Sequence, residues 1–394
     1  STQRDELLRI VETLMAQDRG ASGHTVRAFS PALLEDRHPV SSPLSQGYAL
    51  EAKVDYLREL DGAARAEGEK IVQFIGRIIQ RERAFQIYNS EGLQTEDIRH
   101  YARIVATAIA QDGDEQTTGF ESPGALRGWE FHKDTDPQQL GRAAARGALV
   151  KLGAADCPSG ELPVVIGPAF GGVIFHEACG HLLETTSVQK KASVFHDQMG
   201  EMIANPVVSA TDDGLLANEW GSLNIDDEGM PTQRTQLIKD GRLVSFLVDR
   251  MGAVKTGYER TGSGRRQDYR FAPASRMRNT FIEAGPNSLD EMISSIDFGI
   301  YAKKMGGGSV MPGTGEFNFA VQEPYLIEGG RVTKTLKSAT LISTGPKVLK
   351  EISMVGSDFA LAAGMCGSVS GAVPTTVGQP SLKVDRILVG GQEV

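Results

Sequence analysis

One stretch constrains the fold more than any other: Gly171-Gly172-Val173-Ile174-Phe175-His176-Glu177-Ala178-Cys179-Gly180-His181-Leu182-Leu183-Glu184. Its apolar residues call for burial, yet it carries two imidazoles and a carboxylate between them. A His, Glu and His close together on a helix have a direct chemical reading. Two imidazoles hold zinc, and the Glu beside the first acts as general base on water at the metal. The usual spacing puts the histidines at i and i+4, whereas His176 and His181 stand at i and i+5. On a regular helix of ~3.6 residues per turn that leaves them roughly 140° apart. Either they do not share an ion, or the helix from Val173 to Leu183 carries a π-bulge between Glu177 and Gly180 that realigns them. Gly180 is placed to tolerate such a distortion. The competing reading is a pair of hydrogen-bonded core histidines. Only seven histidines occur in the chain, and two of them beside one glutamate favour the metal.

The rest of the composition bounds the setting. A length of 394 residues accommodates two domains with sizeable cores. The formal net charge of −9 argues against nucleic acid or an anionic membrane as the main partner. No apolar run approaches the ~20 residues of a membrane-spanning helix, and the N-terminus does not read as a signal peptide. Cys157, Cys179 and Cys366 are too widely and irregularly spaced for a disulfide framework, so a reduced, cytoplasmic protein is expected.

Along the chain, Leu7, Leu8, Val11, Leu14 and Met15 form one helical stripe, expected to pack on a sheet. Gly20 to Tyr48 is irregular. A second amphipathic helix turns Val54, Leu57, Leu60 and Ala64 inward. Lys70 to Arg77 and Ala84 to Tyr88 read as strands, the latter ending in Asn89-Ser90-Glu91-Gly92. Tyr101 to Ala110 fits strand or helix, and Gly124 to His132 reads as a strand. Asp136-Pro137 starts a helix running to about Leu152, with Ala143, Ala144 and Ala148 allowing close approach.

The break at Cys157-Pro158-Ser159-Gly160 divides residues 1–156 from 157–394. A buried strand, Leu162 to Ile166, then leads into the His-Glu segment through a glycine loop that lacks the Lys and the spacing of a phosphate cradle. Beyond it lie short strands: Gln236 to Ile238 and Leu243 to Val248 around Asp240-Gly241, and Tyr325 to Ile327 and Val332 to Thr335 around Gly329-Gly330. The expected fold class is α+β: an N-terminal α/β domain, then a β-rich, barrel-like C-terminal domain carrying the metal-binding helix.

A catalytic zinc needs a third protein ligand and an open position. Candidates are His24, His38, His100, His132, His196, the cysteines and the carboxylates. Cys179 lies two residues before His181 and is given a structural role. Cys366, between glycines in Gly364-Met365-Cys366-Gly367, suits a ligand and a small buried apolar residue equally well.

His176-Glu177-Ala178-Cys179-Gly180-His181 resembles the extended His-Glu-x-x-x-His motif of the TldD/PmbA family of metallopeptidases. Further stretches resemble family blocks in the same order: Asp226-Asp227-Glu228-Gly229, Ser275-Arg276-Met277-Arg278-Asn279-Thr280, Gly306-Gly307-Gly308, Thr314-Gly315-Glu316-Phe317 and Val389-Gly390-Gly391. The likeness runs from about Ile71 to the C-terminus. The intact motif is similar to the TldD type rather than the PmbA (TldE) type, which has lost it.

The resemblance implies a zinc-dependent endopeptidase with His176, His181 and Cys366 as ligands and Glu177 as general base. It implies subunits paired with themselves or with a PmbA (TldE)-type chain around a cavity, where unfolded peptides are cut with little sequence preference. Microcin-type peptides and unfolded antitoxins are the family's known contexts. Two departures stand out. After Cys366-Gly367 the family commonly has a Lys and a Gly-Gln pair, where this chain reads Ser368-Val369-Ser370-Gly371-Ala372, and the N-terminal region is shorter. Peptides are expected to bind extended on a strand edge, with Gly306-Gly307-Gly308 as a candidate. Two other classes stay open: a non-catalytic subunit supporting an active partner, and a metal hydrolase of a non-peptide substrate. Glu177 favours a catalytic role, since a purely structural zinc has no use for a base.

Overall fold

The computed structural model describes residues 3–17, 28–32, 34–311 and 314–391. Its first part lays helices on an antiparallel sheet. Helix α1 spans Arg4–Gln17 and α2 spans Leu50–Arg65, and the strands β1 (Ile71–Tyr88), β2 (Leu93–Asp112) and β3 (Glu115–Glu121) follow. Alternation of small and branched residues makes β2 the inward-facing strand: Ala102, Ile104, Ala106, Ala108 and Ala110 are all buried. Against them pack Leu60 and Ala64 of α2 and Ala144, Ala145 and Ala148 of α3 (Pro137–Leu149). The start of α3 is as the sequence indicates, with the Asp136 side chain accepting from the Gln138 amide and Pro137 in the first turn. The helices approach closely because Gly141 has no side chain; a Cβ there would stand 2.3 Å from the Leu60 carbonyl oxygen.

Three expectations are corrected here. The two short strands expected over 70–88 are one continuous strand, whose middle hides from sequence reading because Gln80, Arg81, Glu82 and Arg83 are polar on both faces. Gly124 to His132 forms only a two-residue strand, Gly124–Ala125, followed by a helical turn at Glu130–Asp134. The apolar stripe of α1 packs on nothing among the described residues: no residue of that helix is buried, since α2 and α3 already cover the sheet. Of Gly20 to Tyr48, residues 20–27 and 33 lie outside the described residues; the remainder holds a two-residue strand, Ser30–Pro31, beside β2 and a turn at Leu44–Gln46.

The second part is β-rich, as expected. Strand β4 (Gly160–Ile166) leads to helix α4 (Val173–Ala178), and strands β5 (Ala210–Asp213), β6 (Arg234–Lys239) and β7 (Asn279–Ile282) come next. A long hairpin of β8 (Phe298–Met311) and β9 (Glu316–Glu328) precedes β10 (Ala339–Thr344) and helix α5 (Gly345–Glu351). The chain ends in β11 (Ala360–Ser368), β12 (Gly371–Gln379) and β13 (Leu382–Gly390). Strands β8, β4, β13, β10 and β9 pair in that order, and β9 pairs back to β8, which closes a five-stranded barrel. Strands β11, β12, β7, β5 and β6 form a second sheet in which β11 is an edge.

Both predicted hairpin turns have the left-handed residues their dipeptides suggest: Asp240 and Gly241 at φ 49° and 79°, Gly329 and Gly330 at 56° and 75°. After the first, however, the strand stops at Leu243 rather than Val248. Leu247 bridges to Glu184 instead, with the Thr185 amide donating to the Leu247 carbonyl at 2.9 Å.

Helix α4 lies between barrel and sheet, touching β8 and β9 on one side and β7 and β12 on the other. Val173, Ile174, Phe175 and Ala178 enter the same core as Ile166, Ala302, Phe317 and Leu341. Its approach to β12 depends on Gly172, where a Cβ would meet the Gly378 backbone at 2.5 Å. Among the described residues no helix is long and apolar enough to cross a membrane.

Candidate metal centre

Helix α4 ends where the metal motif needs it to. The α-helix stops at Ala178, Cys179 leaves helical geometry at φ −133° and ψ −52°, and Gly180–Leu183 continue as a 3₁₀ turn. The expected π-bulge is therefore replaced by a break, which does the same work of bringing residue i+5 back beside residue i. The break lies in close packing. Cys179 is fully buried, and a Cβ on Gly180 would lie 2.1 Å from the Met277 sulfur, so Gly180 serves close approach rather than unusual φ.

The imidazoles of His176 and His181 stand edge to face, ring centroids 4.9 Å apart. Into the gap comes Cys366 from edge strand β11, its Sγ 3.1 Å from His176 Nε2 and 3.2 Å from His181 Nε2. The three ligand atoms lie within 4.8 Å of one another, and no other His, Cys, Asp or Glu joins them among the described residues. Two imidazole nitrogens and a thiolate are a donor set that suits zinc, with room for a fourth position. Burial pushes the Cys366 thiol up, but the His176 and His181 imidazoles overcome this and bring it down to about 3. It is held as the thiolate, the form that binds metal. Burial lowers the affinity of His181 for a proton, and the Glu184 carboxylate and Cys366 more than reverse that, holding it well above the usual histidine range.

Glu177 stands beside the cluster, not in it: its Oε2 is 3.8 Å from His181 Nε2 and its side chain is 21% exposed. That is where a proton acceptor for water at the metal would sit. Sequence reasoning gave no part to Glu184, which is buried with Oε2 3.1 Å from His181 Nδ1. Its place three residues after His181, on the same turn, was the only signal for it.

The other candidates have separate partners. His38 Nδ1 accepts from the Asn218 amide, His100 lies 3.1 Å from Glu82, His132 stacks on Trp129, and His196 contacts the Ser193 carbonyl. His24 lies outside the described residues. Burial pushes the Cys157 thiol up to about 11 and the Cys179 thiol higher still, which suits inert packing residues.

The open side of β11 runs up to the metal cluster. The Ala372 and Thr376 amides point away from β11, to Gln267 Oε1 and the Arg278 carbonyl. Their ladder partners Gly367 and Ala363, and Met365 between, therefore turn their own amides and carbonyls to the outer edge, where the Ala363 carbonyl accepts from Arg103 Nη2 at 3.3 Å. A cleft of about 1140 Å³ extends from there, lined by Phe170, by Lys303 to Met305 where β8 runs past its pairing with β4, and by Leu361 to Ala363. The candidate ligands do not line it, but Ala363 precedes Cys366 by three residues, roughly 10 Å of extended strand. Gly306 to Gly308 lie farther along β8 at a bulge, with Gly308 pressed against Asn318 and Gly307 open.

Comparison with known sequences decides the family. The sequence model of the PmbA/TldA metallopeptidase central domain matches residues 44–152, and that of the C-terminal domain matches residues 159–391. The chain belongs to the PmbA/TldD family. Among its TldD-type relatives is the metalloprotease TldD homologue of Haemophilus influenzae, 38% identical over 90% of this chain and 75% of that protein. A zinc metalloprotease TldD homologue of Saccharolobus solfataricus is 28% identical over 78% of this chain and 70% of its own length. The crystal structure of TldE from Thermococcus kodakarensis shares the fold, with a TM-score of 0.76 at 21% identity, covering 99% of this chain and 86% of that one.

Proposed function

We propose that the chain is a cytoplasmic zinc endopeptidase that cuts unfolded or extended peptides with low sequence specificity. The observation that carries this reading is the meeting of His176, His181 and Cys366 around one point, with Glu177 at its side. Those three residues would hold the ion. Zinc there supplies a Lewis acid that makes water nucleophilic near neutral pH and polarises a carbonyl. Glu177 takes the proton of the attacking water on its carboxylate and passes it to the leaving amine. The names of the relatives support a metallopeptidase, and one of them names zinc.

The substrate lies extended along the open edge of β11, its backbone paired with Met365 and Gly367, so that a peptide carbonyl comes beside Cys366. Such pairing reads backbone and not side chains, which accounts for low specificity. The unit acts as a dimer, with itself or with a TldE-type subunit enclosing the site, and divides into domains at residues 156/157. Nucleic acid and membrane have no part in it.

A protein offered in folded and denatured forms tests the substrate reading. The denatured form is expected to be cut faster, and only by zinc-loaded enzyme; equal initial rates on both forms would rule out strand-edge binding. Metal analysis tests the ligands. Wild type is expected to carry one zinc per chain and Cys366→Ala clearly less, whereas full occupancy in the variant would remove Cys366 from the site.

A further inference from the structure

The stretch Ser275-Arg276-Met277 does none of the chemistry above, yet it reaches Gly180, Glu184, Thr185, Thr186 and the Cys366 carbonyl around the metal motif. Met277 fills the space left by Gly180. Ser275 Oγ lies 2.5 Å from Thr185 Oγ1, and the Ser275 amide donates to Thr186 Oγ1 at 3.1 Å, which ties the stretch to the residues just after Glu184. Arg276 crosses to the other side of the site. Its Nη2 donates to the Cys366 carbonyl at 2.5 Å, and its Nη1 to Ser370 Oγ at 2.9 Å and the Gly371 carbonyl at 2.8 Å. These bonds fix the hairpin that presents the Cys366 thiolate.

Arg276 is fully buried, and among the described residues the one carboxylate within ion-pair distance is Glu184, with Nε 3.9 Å from Oε1. Neither of those two atoms has a hydrogen-bond partner among the described residues. The other oxygen of Glu184 engages His181 Nδ1. The groups thus run in line from His181 through Glu184 and Arg276 to Cys366, joining two of the three ligands. His176 is held differently, since its Nδ1 is buried without a hydrogen-bond partner among the described residues.

We propose that Glu184 and Arg276 are positioning residues that together set the geometry and affinity of the metal centre. Glu184 accepts the Nδ1 proton of His181, fixing the tautomer that turns Nε2 to the ion and raising its basicity. Arg276 holds the Cys366 backbone in reach and neutralises the charge of Glu184 in an interior that would otherwise penalise it. Two ligands 185 residues apart in the chain are coupled this way. The proposal rests on the zinc reading of the site.

The test is zinc affinity of the whole chain, measured by competition with a chromophoric chelator, beside the melting temperature of the metal-free protein. Loss of a partner of this kind typically weakens metal binding ~10–100-fold. Glu184→Ala is expected to show that loss. Glu184→Gln keeps an acceptor for Nδ1–H without the charge and is expected to fall between it and wild type. Arg276→Met is expected to weaken zinc comparably and to alter the thiolate charge-transfer band of the cobalt-substituted protein, with Arg276→Lys a partial rescue. Should Arg276→Met fail to fold, the near-isosteric Glu184→Gln and the Glu184→Ala pair still decide. Wild-type zinc affinity in Glu184→Ala overturns the proposal and leaves the zinc reading standing. A wild type that binds no zinc overturns both.

Discussion

Glu177→Gln is expected to keep its zinc and its fold while losing turnover by ~10²–10⁴, the usual worth of a general base. The substitution changes almost nothing else. Glutamine has the size of glutamate, the side chain is partly exposed, and it stands outside the three ligand atoms. Its carboxylate contributes one thing the amide cannot, the ability to accept a proton 3.8 Å from the metal-facing nitrogen of His181. The loss should fall on kcat more than on KM, because the interaction matters when the proton moves and not when the peptide docks. Zinc analysis and steady-state kinetics on one preparation give the answer. A variant with zinc and near-wild-type peptidase activity would show that Glu177 is not the base. A variant that loses its zinc would make Glu177 a ligand.

What the sequence showed of this site, and what it hid, divide along a physical line. Local chemistry was legible. Asp136-Pro137, Asp240-Gly241 and Gly329-Gly330 specify a cap and two turns by backbone preference, and each occurs as read. The class of fold was legible too, since beyond the His-Glu segment the texture changes to short, glycine-turned strands. The break at Cys179 was not, because the residue packed against Gly180 there is Met277, about a hundred residues away in the chain. The i+5 spacing correctly signalled that a regular helix would not serve, but it could not choose between a bulge and a break. Cys366 needed the family resemblance to rise above the other candidates; nothing in Gly364 to Gly367 says that their strand is an edge facing two imidazoles. Arg276 was visible only as part of a recurring block, since its contacts reach across the metal site to another hairpin. The stripe on α1 is a periodic pattern without a described surface to meet it.

The block beyond Arg276 carries the largest stability prediction. Arg278 and Asp212 are both fully buried, with Arg278 Nε donating to Asp212 Oδ1 at 2.5 Å and the Arg278 amide to Oδ2 at 2.7 Å. The hydroxyl of Thr280 donates to the same carboxylate. The remaining guanidinium nitrogens reach the Thr261 carbonyl at 2.9 Å, the Gly262 carbonyl at 3.1 Å, Thr232 Oγ1 at 3.0 Å and Thr235 Oγ1 at 3.2 Å. Every one of those partners is neutral, so Asp212 is the charge that balances Arg278. Asp212→Ala strands the guanidinium in the interior and is expected to destabilise by about 3–5 kcal/mol, the typical cost of breaking a buried pair from one side. Asp212→Asn keeps acceptors for the amide and hydroxyl and should cost less. Pairing Asp212→Ala with Arg278→Met removes the stranded charge, so the double variant should lose less than the two single losses added. Denaturant unfolding of the wild type and the four variants measures this, and a loss under about 1 kcal/mol in Asp212→Ala would mean that water reaches Arg278 and stands in for the carboxylate. The folded fraction of Asp212→Ala should still bind zinc, because Asp212 on β5 and Arg278 just before β7 form this pair, while α4, the 3₁₀ turn after it and β11 carry the candidate ligands. Glu177→Gln and Asp212→Ala are then opposite lesions: one leaves the protein stable and inactive, the other leaves the site intact in whatever molecules remain folded.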